Sequence, residues 1–180
     1  MIHLYKNISH RNIFLYLSML MFLLPGTALG AGRAKVALSA ASPVLLECVV
    51  DAAQKSDLPL AALVGILAAE RGEPGEALSN SNGTWDMGPF QINTCHVNEL
   101  VRMGIAPDLV LRDGCVNAYA AAWLLRKEYE RTGNIWAAIG AYHSRNPERR
   151  AAYVAKVKDH VVRLRRVGLF SLLPYGGQVQ

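Results

Sequence analysis

Hydrophobic positions along the chain fall into runs typical of helices, and the most apolar run covers residues 60–71. Every position from Leu60 to Ala69 is apolar or glycine, so a helix here would be hydrophobic on all sides and must lie inside a core. Glu70 is the single carboxylate of the run, and Gly72 is predicted to end the helix. The pattern therefore predicts a buried helix with an acid at its carboxyl end.

Glu70 is the strongest candidate for chemistry in this pattern. Burial disfavours the charged form of a carboxyl group, and so does the partial negative charge at the carboxyl end of a helix. A carboxyl group that keeps its proton can protonate the oxygen of a leaving group, so the position predicts a general acid. The alternative is an ordinary glutamate that turns outward to solvent at the end of a helix.

The remaining pattern predicts a mainly α, single helical domain with one small β-ribbon. A helix over residues 42–55 is predicted to open at a Ser42 cap followed by proline. Asn82-Gly83 is a strong hairpin signal, and its short flanks favour a ribbon over residues 80–90 and no larger sheet. Further helices are predicted from Asn93 or Thr94 to Met103, for one turn at Ala106-Pro107, from Gly114 to Thr132 after an Asp113 cap, from Asn134 to Tyr142, and from Asn146 to about Arg166.

Residues 1–30 have the pattern of a secretory signal peptide. Lys6 and Arg11 precede an apolar run over residues 13–24, and small residues permit cleavage after Gly30. The run is short for a membrane span, so an uncleaved anchor is the alternative. The sequence therefore predicts an exported protein.

Cleavage would leave about 150 residues, which is enough for one domain with its own core. We predict that this domain covers residues 42–166 and that residues 167–180 form a loose tail. The formal net charge is +5 at pH 7, and it falls to +3 when Lys6 and Arg11 are removed with the signal region. This mildly basic charge suits an anionic cell envelope and is too weak to indicate nucleic-acid binding.

The composition includes three cysteines, Cys48, Cys95 and Cys115. Disulfides persist outside the cytoplasm, so one pair and one spare thiol is the simplest interpretation. Neighbouring Cys95 and His96 are poorly placed to bind one zinc ion, and we predict no metal and no cofactor. A Cys95 nucleophile with His96 or His143 is disfavoured, because no Asn or Asp that would orient the histidine is identifiable.

Three motifs in a fixed order resemble those of a known family: Glu70, then Asp-Met-Gly-Pro-Phe-Gln-Ile-Asn at residues 86–93, then Ala-Tyr-His-Ser at residues 141–144. From about Cys48 to Val157, the chain resembles the lysozyme-like lytic transglycosylases of the soluble-transglycosylase (SLT) type. It is most similar to the small exported members that serve conjugation, type III and type IV secretion, and pilus assembly.

The resemblance implies an α+β lysozyme-like fold and a reaction. The β-1,4 bond between N-acetylmuramic acid and N-acetylglucosamine of peptidoglycan would be cleaved. The muramyl C6 hydroxyl would close onto C1 and leave a 1,6-anhydro end. Implied partners are glycan strands and components of a trans-envelope secretion, conjugation or pilus apparatus. The implied location is the periplasm. No nucleic-acid partner is expected, and contact with a membrane is expected only if the signal segment is retained.

The resemblance also implies roles for single residues. Glu70 matches the catalytic acid/base, and Tyr142 matches the tyrosine that faces it. Gly88, Gln91 and Asn93 match the Gly-x-x-Gln-Ile-Asn motif that lines the sugar cleft, where side-chain amides suit acetamido groups. Taken alone, Gln91 would be assigned to the ribbon, Asn93 to a helix cap and Tyr142 to core packing.

The chain departs from the family pattern at three places, which bear on substrate preference and rate more than on chemistry. These are Arg71 for Ser, Pro89-Phe90 for Leu-Met, and His143-Ser144-Arg145 for Asn-Ala-Gly.

The disulfide is likewise implied by the resemblance. Related small exported members have cysteines at the positions of Cys48 and Cys115, so these two are predicted to pair. Such a bond would tie the first helix to the long one. Cys95 would be the spare thiol.

Asp86 keeps a second mechanism open. A glycosidase with two carboxylates places them about 5 to 9.5 Å apart. Asp86 could fill the second role in a water-using muramidase, although aspartate is also a common turn former. If the substrate's own hydroxyl is the nucleophile, Glu70 alone is sufficient. A noncatalytic peptidoglycan-binding assembly module is a further alternative, which intact Glu70 disfavours.

Overall fold

The computed structural model describes residues 41–172, which contain seven α-helices and one small antiparallel sheet. The predicted signal peptide, residues 1–30, lies outside the described residues. The predicted mainly α fold with a small β element is confirmed. The helices are α1 (Leu46–Lys55), α2 (Leu60–Glu70), α3 (Val97–Arg102), α4 (Pro107–Arg112), α5 (Gly114–Thr132), α6 (Ile135–His143) and α7 (Pro147–Arg166), and the strands are β1 (Ala77–Ser79), β2 (Trp85–Met87) and β3 (Ile92–Asn93).

Helix α2 is the buried helix predicted from the apolar run. Its residues 61–66 and Ala69 are all buried. At Gly65 the helix lies so close to α7 that a Cβ atom would stand 2.7 Å from Val161 and 2.9 Å from Val157. Close packing on all sides fixes the position of the end of α2, and therefore of Glu70.

The predicted helix stop at Gly72 is wrong. Helix α2 ends at Glu70, and its C-cap residue, Arg71, takes the left-handed conformation itself, with φ of 59°. Gly72 is needed for a different reason, because a Cβ atom there would lie 2.1 Å from the Gly88 carbonyl oxygen and 2.4 Å from Gln91 Nε2. The glycine lets the chain after α2 pass directly under the turn that follows β2.

The predicted start of the first helix is also wrong. Helix α1 begins at Leu46, and its N-cap residue, Leu45, makes no side-chain cap. The Ser42 backbone instead pairs with the segment before α5, donating to Arg112 O at 2.9 Å and accepting from Gly114 N at 3.0 Å. This pairing holds residue 42 in an extended segment that cannot also start a helix.

The β element is larger than the predicted ribbon. Its first strand begins at residue 77, and the third strand adds a second pairing, with Asp86 opposite Asn93 and Met87 opposite Ile92. The extra strand forms because the chain reverses at residues 88–91 and returns beside β2. Asn82 and Gly83 form the predicted turn between β1 and β2, where Asn82 Oδ1 accepts from Thr84 N at 3.1 Å.

The later helices begin at the predicted caps. Asp113, Asn134 and Asn146 each accept backbone N–H groups at the starts of α5, α6 and α7. Asn93 caps a short 3-10 helix at Thr94–His96, and α3 starts only after it. A second 3-10 helix at Leu169–Leu172 buries Phe170. Within residues 41–172, no helix has the length and apolar character needed to cross a bilayer.

Candidate active site

One open cleft of about 650 Å³ lies between the small sheet and helices α2, α5 and α6. Most of the candidate residues line it: Glu70, Asp86, Gln91, Asn93 and Tyr142. Gly88 does not line the cleft and is buried beneath it. Residues that are far apart in sequence thus face one space.

Glu70 ends α2 at the wall of this cleft, with its side chain 13% exposed. The Tyr153 hydroxyl donates to Glu70 Oε1 at 2.6 Å. His143 Nδ1 lies 3.9 Å from the same oxygen, and its ring stacks on that of Tyr153 with centroids 4.1 Å apart. The carboxyl group is therefore held in one place and still faces the open cleft.

Two tyrosine hydroxyls near Glu70 stay protonated. Burial raises the pKa of Tyr153 far above its ordinary value, and the charge of Glu70 and its hydrogen bond add to this. Burial also raises the pKa of Tyr142, with smaller contributions from Glu70 and Asp86. The Tyr142 hydroxyl donates to Phe90 O at 2.9 Å, so it ties α6 to the turn after β2.

Asp86 is the centre of a hydrogen-bond network within the sheet. Its two carboxylate oxygens accept from Asn80 Nδ2 at 2.9 Å and from Asn93 Nδ2 at 2.7 Å. The Asn93 amide also donates to Thr84 Oγ1 at 2.9 Å, while its oxygen accepts from Cys95 N at 2.9 Å. Asp86 and Asn93 therefore hold the sheet together at the cleft wall.

The turn at residues 88–91 depends on Asn117, a residue that sequence reasoning missed. This fully buried side chain donates to Met87 O at 3.0 Å and Val110 O at 2.7 Å, and accepts from Phe90 N at 2.8 Å. The available signal was an amide in the otherwise apolar first half of α5. Gln91, with φ of 51°, donates from Nε2 to Gly88 O at 2.9 Å.

Tyr153 was also missed. It shares a buried stripe with Val157 and Val161 at a spacing of four residues, which indicates only the inner face of α7. Nothing in that spacing points to Glu70, which lies 83 residues earlier in the chain.

Cys48 and Cys115 form a disulfide with a Cα–Cα distance of 5.3 Å, and Cys95 is a free thiol in the cleft. The pKa of Cys95 is raised, mainly by partial burial of the thiol and then by the charge of Asp86. A raised pKa keeps the thiol protonated and disfavours a nucleophilic role.

The helical core, the small sheet and the acid at their junction define a lysozyme-like protein. The family model described as "Transglycosylase SLT domain" matches residues 47–158, and the chain belongs to this family.

Three relatives show how far the likeness extends. X polypeptide of Escherichia coli is 37% identical over 76 residues, which is 39% of this chain and 45% of that protein. Invasion protein IagB of Salmonella typhimurium is 32% identical over 97 residues, 52% of this chain and 61% of IagB. Protein IpgF of Shigella flexneri is 28% identical over 127 residues, 69% of this chain and 84% of IpgF. The chain thus spans less than half the length of X polypeptide.

Proposed function

We propose that this chain is a peptidoglycan lytic transglycosylase in which Glu70 is the only catalytic carboxylate. The observation that carries the proposal is that the carboxylates in the cleft differ in the partners that the protein gives them. Within residues 41–172, three line it: Glu70, Asp86 and Glu128. Two asparagine amides hold Asp86, and Arg131 pairs with Glu128 at 2.6 Å. Glu70 has one close donor, Tyr153, and its second oxygen is available to a ligand.

One carboxyl group is sufficient if the substrate supplies the nucleophile. Protonated Glu70 gives its proton to the glycosidic oxygen as the bond from that oxygen to muramyl C1 breaks. The resulting carboxylate then takes the proton of the muramyl C6 hydroxyl as O6 bonds to C1. Glu70 ends protonated, no water is consumed, and the product carries a 1,6-anhydro ring. Tyr153 keeps the carboxyl group oriented through both steps.

The water-using muramidase remains the second candidate, because Asp86 lines the same cleft as Glu70. In that reaction Asp86 would act as nucleophile or as base for water, and the product would have a reducing end. The two asparagine donors on Asp86 favour the transglycosylase.

We further propose that the protein acts in the periplasm and opens the cell wall locally for a trans-envelope secretion, conjugation or pilus apparatus. The signal-peptide pattern of residues 1–30 supports export. The name of the IagB relative, an invasion protein, supports a link to such an apparatus.

Glu70→Gln tests the proposal directly. The amide keeps the shape of the side chain but has no proton to transfer, so glycan cleavage should fall by at least about 10²- to 10⁴-fold. Release of soluble fragments from purified peptidoglycan measures it. Glu73→Gln, an exposed site three residues away, is the matched control and should keep full activity. Activity of Glu70→Gln within tenfold of wild type, with an unchanged circular dichroism spectrum, would remove Glu70 from the mechanism.

A further inference from the structure

Among residues 41–172, one lysine and two arginines line the cleft, and they differ in how their charge is balanced. Lys127 pairs with both oxygens of Glu99, at 2.7 and 2.8 Å. Arg145 and Arg149 are exposed, and neither has a carboxylate within 4.0 Å in the described part of the chain. Two guanidinium groups thus face the cleft without a counter-charge.

Both arginines lie around the start of α7. Arg145 follows α6 by two residues, and Arg149 is in the first turn of α7. The amino end of a helix carries partial positive charge, so a cation there is disfavoured by roughly 0.3–1 kcal/mol. Glu148 in the same turn forms no ion pair with either arginine. The local charge is therefore suited to an anion from outside the protein.

We infer that Arg145 and Arg149 bind a carboxylate carried by the glycan substrate, which rests on the proposed function. Guanidinium groups recognise carboxylates through paired N–H donors. In peptidoglycan the carboxylates belong to the substituent on O3 of the muramyl sugar, either the peptide stem or the bare lactyl group. Arg145 is two residues after His143, which lies beside Glu70, and all three residues line the same cleft. Arg145 stands where the SLT-type pattern has glycine, which makes the site a property of this chain.

The test compares wild type with the double variant Arg145→Gln/Arg149→Gln on three substrates. These are glycan strands with intact peptide stems, the same strands with their carboxylates amidated, and strands stripped of peptides that keep the lactyl carboxylate. Exposed ion pairs are individually weak, so we expect the double variant to be about three- to tenfold slower on intact strands. It should equal wild type on amidated strands.

The stripped strands identify the source of the carboxylate. On intact strands the lactyl carboxyl is bonded to the stem as an amide, so a slower double variant on stripped strands shows that the arginines also bind the bare lactyl carboxylate, and equal rates assign the peptide stem alone. The matched control, Arg165→Gln/Arg166→Gln, removes the same charge at the exposed far end of α7, about 24 Å away, and should behave as wild type. The single variant Arg145→Gln gives an independent check with a smaller effect.

Equal rates of wild type and double variant on intact strands would overturn the inference, as would an equal loss on intact and amidated strands. Failure of the proposed function gives a different result: without glycan cleavage wild type releases nothing from the three substrates, and a muramidase releases reducing ends instead of 1,6-anhydro ends.

Discussion

Glu70 depends on residues from three helices for its position. The packing of α2 fixes its backbone, Tyr153 from α7 donates to Oε1, and His143 from α6 stacks on Tyr153. The stack leaves one side of the carboxyl group open to the cleft. Orientation of a single acid by a buried neutral donor is what a residue that acts first as acid and then as base requires.

Replacing Tyr153 by Phe should lower activity. A hydrogen bond to a charged group is worth about 1.5–3 kcal/mol, so we expect a loss of roughly tenfold or more in kcat. The raised pKa of Tyr153, caused first by burial, keeps its hydroxyl a donor throughout the ordinary pH range, so neither limb of the wild-type pH–rate profile reports the tyrosine itself.

Tyr129→Phe is the control for this variant, because Tyr129 lies on α5 outside the cleft. It should leave kcat unchanged. A kcat of Tyr153→Phe close to that of wild type would show that the hydroxyl does not act on Glu70.

At the residue scale, the sequence motifs led to side chains that line one cleft. Glu70 stood out as the one acid of an apolar run, and the motifs at 86–93 and 141–144 pointed to residues that share its cleft. Tyr153 and Asn117 were not predicted as site residues, because each acts across a long sequence separation and each looks locally like a helix-core residue. Their roles follow from how the helices pack, which the spacing of residues within one helix does not encode.

Among the elements, the turn at residues 88–91 matters most for the cleft. Gly88 takes φ of 65°, and a Cβ atom there would stand 2.6 Å from Asn117 Nδ2. The same Asn117 side chain holds Met87 O and Phe90 N on either side of the glycine. The sheet and α5 are thereby joined at the point where Gln91 enters the cleft.

Gly88→Ala should destabilise the protein by about 3 kcal/mol, since a left-handed alanine and a steric clash act together. Activity should fall as well, because Gln91 would be displaced. Gly83→Ala is the control: Gly83 also has positive φ, 82°, but nothing lies within 4 Å of its would-be Cβ atom. That variant should cost only about 1 kcal/mol for its backbone conformation. Urea denaturation measures both, and equal losses would mean that contact with Asn117 is unimportant.

The helix starts were predictable where a side-chain cap works locally, as at Asp113, Asn134 and Asn146. The failures at Ser42 and Gly72 have a common cause. In both places a contact with a distant segment decides the backbone, at Ser42 with the residues before α5 and at Gly72 with Gly88. Such contacts override the local preference of a serine or a glycine.

For the molecule as a whole, the disulfide joins the first helix, α1, to the long core helix α5. Cys48 lies in α1 and Cys115 in the first turn of α5, next to the pairing of Ser42 with Arg112 and Gly114. The bond closes a loop with a sequence separation of 67. A loop of this length restricts the unfolded chain strongly.

Cys48→Ala should therefore lower the free energy of unfolding by up to about 4 kcal/mol on the chain-entropy model. The melting temperature should fall by roughly 10 °C. Cys95→Ser, which removes the exposed free thiol, should leave it nearly unchanged. Peptide mapping without reduction gives the connectivity, and a linked peptide that contains Cys95 would refute this account of the disulfide.

The structure of the product end tests the central claim most directly. Wild-type protein and Asp86→Asn should both be incubated with purified peptidoglycan, and the released muropeptides analysed by mass spectrometry. If Glu70 works alone with the muramyl C6 hydroxyl, both proteins release 1,6-anhydro ends, with Asp86→Asn slower by no more than about tenfold because it loses only hydrogen bonds. Reducing ends heavier by one water molecule, together with loss of cleavage in Asp86→Asn, would contradict it.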